Sequence, residues 1–171
     1  MDAAVPSATP VSSAEAAVRL ALAFVVGACV GVERQWHHKN AGLRTHTLVA
    51  VGAAGFTIVS VLGLGPTTSP MLIAAGVVTG IGFIGAGVIM QDGTAVRGLN
   101  TAATLWTTAS MGLAAGGGYY ALTVMIFVAV VTVQLPLQLA ERWIDSAAAR
   151  RHVVCPDSGQ ELHASSTGHE T

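Results

Sequence analysis

Two long stretches of this chain contain no Asp, Glu, Lys or Arg, and they constrain the fold more than any other feature. They cover residues 45–91 and 98–140. A helix needs about 20 apolar residues to cross the hydrocarbon core of a bilayer, so each stretch has room for two spans and a turn. Pro and Gly are concentrated at 66–70 and 116–120, which predicts the turns there. The two stretches therefore predict four transmembrane helices.

A fifth span is predicted upstream, over residues 14–32. Ser12 followed by Glu15 three residues later is the pattern of a capping box, which favours a helix that begins there. Glu15 and Arg19 are one helical turn apart and are predicted to pair. The segment before this span has no basic start, so a cleaved signal peptide is the weaker interpretation. With 52% hydrophobic and 10% charged residues, the composition is also typical of a membrane protein.

The basic residues predict the orientation. Seven of the eight lie in the first connection, in the third connection or after the last span, and Arg19 lies on the other side. Because basic loops stay in the cytoplasm, the amino terminus is predicted outside and the carboxyl terminus inside. The predicted fold class is an all-α membrane protein with five transmembrane helices. Residues 1–13 are predicted as an extracytoplasmic segment, 14–140 as the membrane domain and 141–171 as a short, disordered cytoplasmic tail.

The chain contains a weak internal repeat. Sliding the sequence by 56 residues aligns 31–45 with 87–101 without a gap, with matching Gly, Val, Gln, Leu and Thr positions. Both segments run from the end of an inward span, through a loop, to the start of an outward span. This favours two parallel-repeat hairpins plus one helix, and chance similarity in a glycine-rich chain is the alternative.

The third predicted span is rich in glycine. At the helical period, Gly76, Gly80 and Gly87 share one face. Gly82 and Gly85 share the opposite face. Small residues let helix backbones approach closely in lipid, so we predict packing neighbours on both faces and a central place for this span. A substrate path is the alternative.

The fourth predicted span carries a stripe of hydroxyl and small side chains, formed by Thr101, Thr104, Thr108 and Gly112. Hydroxyl groups inside a membrane bond to their own helix or to a neighbouring helix. General helix packing is therefore the plain interpretation of this stripe, and a substrate path is the alternative.

Charged side chains are concentrated in the two predicted cytoplasmic loops. The candidate functional residues are Glu33, Arg34, Arg44, Asp92 and Arg97. Opposite charges at the ends of spans gain from pairing because they are partly dehydrated, so Glu33 with Arg97, or Arg44 with Asp92, is predicted to join the two hairpins. For Arg34 a plain topology anchor is the alternative.

Four motifs indicate a known family: "GVERQ", "AGLRTHTLVAVGAAGF", "GIGFIGAGVIMQDG" and "VRGLNTAATLWTTASMGLAAGGGYY". Over about residues 14–140 the chain resembles the MgtC/SapB family of bacterial inner membrane proteins. The resemblance implies that Glu33 and Arg34, with residues 42–45, 80–87 and 97–103, occupy signature positions. It also implies a role in growth at low magnesium, in survival inside macrophages and, in some members, in inhibition of the cell's own proton ATP synthase.

The sequence also departs from the family pattern. Where members commonly carry Asp, Arg and Gln near the start of the third span, this chain has Ser69, Leu72 and Gly76, which argues against a polar site on the outer side. Many members end in a folded cytoplasmic domain, whereas the 31 residues after Ala140 are mostly polar and too few to bury a core.

Three classes of function can be weighed. A magnesium transporter needs oxygen ligands along its path, and predicted spans two to five contain no Asp or Glu, so this is the runner-up. An enzyme is not expected, because no catalytic spacing is present. No cofactor or metal is expected either, since the spacing of His152, Cys155, His163 and His169 matches no zinc pattern.

The favoured hypothesis is a virulence-type regulator of the inner membrane. It docks its small-residue helices and charged loops against another membrane protein in the bilayer. The resemblance suggests a membrane subunit of the proton ATP synthase as that partner, another inner membrane protein and a homo-oligomer being alternatives. Nucleic acid is not expected as a partner.

Overall fold

The structure, a computed structural model, describes residues 11–63 and 70–134. Five helices follow one another: α1 (Ser13–Trp36), α2 (Leu43–Gly63), α3 (Pro70–Val88), α4 (Leu99–Gly116) and α5 (Tyr120–Gln134). Two short strands, β1 (Met90–Asp92) and β2 (Ala95–Arg97), separate α3 from α4. Helices α1 to α3 are long and apolar enough to cross a membrane. In the described chain α4 and α5 do not meet that criterion, so five spans and their orientation stay predictions.

The chain divides into two compact units, Met1–Val131 and Thr132–Thr171. The packing described below is that of the first unit. The tail predicted at 141–171, with its His and Cys residues, lies outside the described residues, as does Ser69. The turn predicted at 116–120 is confirmed, since α4 ends at Gly116 and α5 begins at Tyr120.

The start of α1 follows the predicted capping pattern. Ser12 is the N-cap, and its hydroxyl oxygen accepts a hydrogen bond from the Glu15 backbone N–H at 3.2 Å. The predicted ion pair between Glu15 and Arg19 is also present. In addition, Arg19 Nη1 donates to the backbone carbonyl of Gly116 at 2.9 Å. Because the last carbonyls of a helix lack partners within it, this arginine satisfies one of them at the end of α4.

Small residues bring α1, α2 and α4 close together. A Cβ atom added at Gly31 of α1 would lie 2.6 Å from the Cα of Leu43 on α2. One added at Gly112 of α4 would overlap the backbone oxygen of Ala50 on α2. A cluster of buried alanines from the same three helices lies between them. Close backbone approach at small residues is the way helices associate in lipid, so these three helices form the packed centre of the unit.

The third helix is at the edge of this packing, which corrects the central place predicted for it. Its most apolar segment is 11% buried, against 39% for that of α2. Within the described chain, four of its five predicted packing glycines have no atom within 4 Å of the position that a Cβ would take: Gly76, Gly80, Gly82 and Gly87. At Gly85 that position lies 3.5 Å from the Cβ of Ala102 on α4. The glycine pattern shows where another helix can pack closely, but it does not show whether that helix belongs to this chain or to another one.

The described chain is mostly helical, as predicted, but the connection between α3 and α4 is a short β-hairpin that the prediction did not include. Its register pairs Met90 with Arg97 and Asp92 with Ala95. Gly93, with φ +61°, follows β1 and supplies the positive φ that a two-residue hairpin turn requires. The connection between α1 and α2, which the internal repeat aligns with this one, contains no strand. The two aligned loops therefore have different backbone structures.

Candidate functional site

All five candidate charged residues lie at one end of the bundle. We call this the loop end, defined by the α1–α2 connection (residues 37–42) and the α3–α4 connection (residues 89–98). Arg34 is fully buried there, and the side chain of Glu33 is 17% exposed. The other three candidates, Arg44, Asp92 and Arg97, are exposed. The site thus has a buried part, which holds helices together, and an exposed part, which faces the surroundings.

Arg34 joins α1 to α4. It lies in the last turn of α1, and its Nη2 donates to the hydroxyl oxygen of Thr101, in the first turn of α4, at 3.0 Å. Its Nε and Nη1 have no hydrogen-bond partner among the described residues. Burying a guanidinium is costly unless it is hydrogen-bonded, so losing the bond to Thr101 would add to that cost. The bond therefore holds the start of α4 against the end of α1.

Gly98 sets the start of α4 beside Arg34. It is the N-cap residue, with φ +91°, and a Cβ there would overlap the backbone oxygen of Val88. Glycine is therefore required both by the left-handed backbone and by the close approach to the end of α3. This tight reversal places Thr101 where Arg34 reaches it.

His46 is a second fully buried polar side chain at this end. Its Nδ1 lies 3.0 Å from the carbonyl oxygen of Gly42. A carbonyl only accepts, so the proton of the neutral ring is on Nδ1 and Nε2 is the acceptor. Nε2 has no partner among the described residues, and the ring is within electrostatic reach of Arg34 and Glu33. His46 shares one helix face with Ala50 and Ala54, which are both buried. This spacing is the sequence feature from which the burial of His46 could be predicted.

The charged pairs are local and differ from the predicted ones. Glu33 lies 3.1 Å from Nδ1 of His37, one turn later on α1. Asp92 and Arg97 are 3.9 Å apart at their closest side-chain atoms. The hairpin places Asp92 and Arg97 on adjacent strands, so they pair with each other and not with a residue of the α1–α2 connection. Glu33 with Arg97 and Arg44 with Asp92 are therefore not the pairs that the structure forms.

The hydroxyl stripe of α4 is buried, and its hydroxyl groups bond to their own helix or to a neighbouring helix. Thr104 and Thr108 donate to carbonyl oxygens of their own helix, those of Asn100 and Thr104. Thr101 instead accepts from Arg34 of the neighbouring helix. At the other end of the stripe, Gly112 lies against Ala50. The stripe thus provides close packing along its length and one polar contact between helices at the loop end.

An apolar groove of about 610 Å³ lies between α2 and α3. Helix α2 lines it with Leu48, Gly52 and Phe56, among others. On the α3 side it is lined by residues from Leu72 to Ile84, including Gly76 and Gly80. At 1.5 Å per residue this segment of α3 is about 18 Å long. The groove therefore extends over much of the thickness of a bilayer core.

Comparison with known proteins shows the family of this chain. The family model described as "MgtC family" matches residues 20–143. The chain belongs to the MgtC family. The matched segment contains Arg34, Thr101, His46 and the groove, but it excludes Arg19.

Several relatives of this MgtC-family chain carry the name "Protein MgtC". That of Brucella abortus is 46% identical over 143 residues, which are 84% of this chain and 60% of the relative. That of Salmonella paratyphi A is 45% identical over 141 residues, 80% of this chain and 60% of the relative. The chain thus spans about 60% of the length of these curated relatives. No solved structure matches it.

The polar side chains of this MgtC-family site can bind and position other groups. Within residues 11–63 and 70–134, no group of three His, Cys, Asp or Glu side chains is arranged to hold a metal ion. The buried guanidinium and imidazole bond to a hydroxyl and a carbonyl of the chain itself. The exposed Arg44, Asp92 and Arg97 are the charges that another molecule can contact directly.

Proposed function

We propose that this chain is a regulator of the bacterial inner membrane, oriented with the loop end in the cytoplasm. It supports adaptation to low magnesium and intracellular survival by binding and modulating another membrane protein, such as the proton ATP synthase. The proposal rests on the observation that the loop end has a buried polar part and an exposed charged part. Arg34 is buried and bonded to Thr101, while Arg44, Asp92 and Arg97 are exposed around it.

The exposed charges suit a partner better than they suit the chain's own stability. Asp92 and Arg97 are 74% and 73% exposed and 3.9 Å apart. A pair of this kind contributes at most about 1 kcal/mol, because water and salt screen it. Each side chain can therefore exchange its present partner for a charge on another protein at little cost.

The buried contact supports the same proposal in a different way. The Arg34–Thr101 hydrogen bond fixes the start of α4, and the hairpin with Asp92 and Arg97 leads directly into that helix. A surface held in one geometry loses less entropy when it binds. In this proposal Arg34 is a positioning residue, and the partner contacts the exposed charges.

A helix of the partner can lie along the face of α3 that is turned away from the groove. Gly82 has open space around it, and Val78, one helical turn before it, is 42% exposed. In lipid, a small residue beside a large apolar one offers a neighbouring helix both close approach and contact area. In this proposal Gly82 has the packing role predicted for the glycines of α3, but its neighbour is a helix of another chain.

A magnesium path is the competing function, and the groove does not favour it. Mg²⁺ keeps several waters and takes oxygen ligands, whereas the side chains lining the groove are apolar. The acidic residues of the described chain, Glu15, Glu33 and Asp92, stand near helix ends or in the hairpin.

The proposal is tested with Asp92→Asn and Arg97→Gln in a bacterial strain that lacks its own family member. We expect each variant to insert normally, to support growth at low magnesium poorly and to capture several-fold less partner from native membranes. Capture is read by quantifying ATP synthase subunits against other membrane proteins. Lys39→Gln, which removes an exposed cation of the other loop, is the matched control for charge alone.

Two results would contradict the proposal. One is unchanged capture and growth in both variants. The other is saturable Mg²⁺ uptake by liposomes that contain the unmodified protein, lost in Asp92→Asn, since that outcome makes the loop end the mouth of a transport path.

A further inference from the structure

Arg44 stands directly beside the mouth of the α2–α3 groove. It precedes Leu48, a groove-lining residue, by one helical turn on the same face of α2, and Thr45 has the same relation to Val49. Both Arg44 and Thr45 are exposed. The groove therefore has a cation and a hydroxyl at its loop end and apolar side chains along the rest of its length.

Among the arginines of the loop end, Arg44 is the one that is exposed and without an acidic partner in the described chain. Arg97 lies beside Asp92, and Arg34 is buried against Thr101. The acidic side chains of the described residues, Glu15, Glu33 and Asp92, each contact a basic or imidazole side chain other than Arg44. No acidic group among the described residues therefore competes with an external anion for the charge of Arg44.

We propose that the groove holds an acyl chain of an anionic phospholipid whose phosphate is bound by Arg44, with Thr45 beside it. The charge distribution of this ligand matches the site, because a phospholipid carries its negative charge at one end of a long apolar chain. Anionic lipid headgroups attract a basic residue that lies near the end of a membrane-spanning helix. The open space at Gly52, Gly76 and Gly80 leaves room for the acyl chain along the groove.

This inference goes beyond the proposed function and does not depend on it. A lipid in the groove is compatible with a partner on the opposite face of α3. It requires only that α2 and α3 are in a bilayer, for which both are long and apolar enough.

The test uses the full chain in phosphatidylcholine vesicles with a trace of photoactivatable lipid, either phosphatidylglycerol or phosphatidylcholine, that carries the reactive group in its acyl chain. Labelled peptides are mapped by mass spectrometry. We expect labelling of residues 48–56 and 72–84 to be several-fold stronger with the phosphatidylglycerol probe. Arg44→Gln should remove this preference, while Arg97→Gln, the matched arginine of the other loop, should keep it.

A second set of variants tests the groove itself. Gly76→Leu places its Cβ in open space, with no described atom within 4 Å, and the rest of the side chain should fill the groove and lower groove labelling by both probes. Gly52→Leu tests the same point from α2. Gly82→Leu, an equally open glycine of α3 outside the groove, should leave labelling unchanged.

Several outcomes would overturn the proposal. They are equal labelling of the groove by the two probes, labelling that survives both Gly76→Leu and Gly52→Leu, and a preference that Arg44→Gln does not alter. Competition by inorganic phosphate in the aqueous phase would identify a site for the free anion instead. Cross-linking between copies through a cysteine at position 76, with no lipid label, would identify a second copy of the chain as the occupant.

Discussion

Arg19 and Arg34 lie on the same helix and bind opposite ends of α4. Arg19 donates to the carbonyl oxygen of Gly116 at 2.9 Å, and Arg34 donates to the hydroxyl oxygen of Thr101 at 3.0 Å. The interval from Arg19 to Arg34 equals the interval from Thr101 to Gly116, as two antiparallel helices of equal rise require. That interval corresponds to about 22 Å. The α1–α4 interface is therefore closed by a buried arginine at each end.

The Arg34 contact predicts a loss of stability on removing its acceptor. Thr101→Val leaves the buried guanidinium without this partner, so the free energy of unfolding should fall by about 1.5–3 kcal/mol in a denaturant titration in detergent micelles. Thr104→Val is the control, because its hydroxyl bonds to a carbonyl of its own helix. We expect the control to lose less than about 0.5 kcal/mol, as is usual where no unique contact is removed. Equal losses would mean that the Arg34 bond contributes nothing specific.

The glycines of α3 and α4 should respond in opposite ways to alanine. At Gly112 a Cβ meets the backbone oxygen of Ala50 and lies 2.9 Å from the Cβ of Ala53. Gly112→Ala should therefore cost about 1–3 kcal/mol through overpacking. At Gly82 the space is open in the described chain, so Gly82→Ala should be neutral or stabilise α3 by up to about 1 kcal/mol. Thermal unfolding of both variants in the same detergent compares them, and the reverse order would place α3 inside the bundle.

Replacing His38 by glycine should make the protein more stable. It has φ +51°, and it follows α1, where the backbone N–H groups of His38 and Lys39 bond back to the carbonyl oxygens of Gln35 and Arg34. This left-handed helix end favours glycine, so His38→Gly should raise the free energy of unfolding by about 1 kcal/mol. The same denaturant titration measures the change. Lys39→Gly, next to it but without a positive φ, should give no gain.

The orientation is tested by cysteine labelling in a chain without its own cysteines, C29S/C155S. A membrane-impermeant maleimide should label Tyr119→Cys in intact cells, and it should label Lys39→Cys only after the cells are permeabilised. Both positions are exposed and lie at opposite ends of the bundle. Labelling of position 39 in intact cells would reverse the predicted topology.

Parts of the structure were accessible from local sequence patterns. The capping of α1 by Ser12, the Glu15–Arg19 pair and the hydroxyl stripe of α4 all depend on residues a few positions apart, and the structure contains each of them. Cross-loop pairs were not accessible in this way. Asp92 pairs with Arg97 because the hairpin register brings them together, and a short hairpin gives little signal beside four long apolar segments.

The sequence by itself determined that this chain forms long apolar helices, that α1 begins after Ser12, that a turn separates α4 from α5, and that charged residues collect near the helix ends. These properties follow from composition and from contacts within a turn of helix, which do not depend on the rest of the chain. The tertiary structure alone decided that α4 is central while α3 is peripheral, and that Arg34 is buried while Arg44 is exposed. Helices α1 to α4 all contain both glycine and alanine, so the partners of these small residues are selected by the summed packing of the bundle.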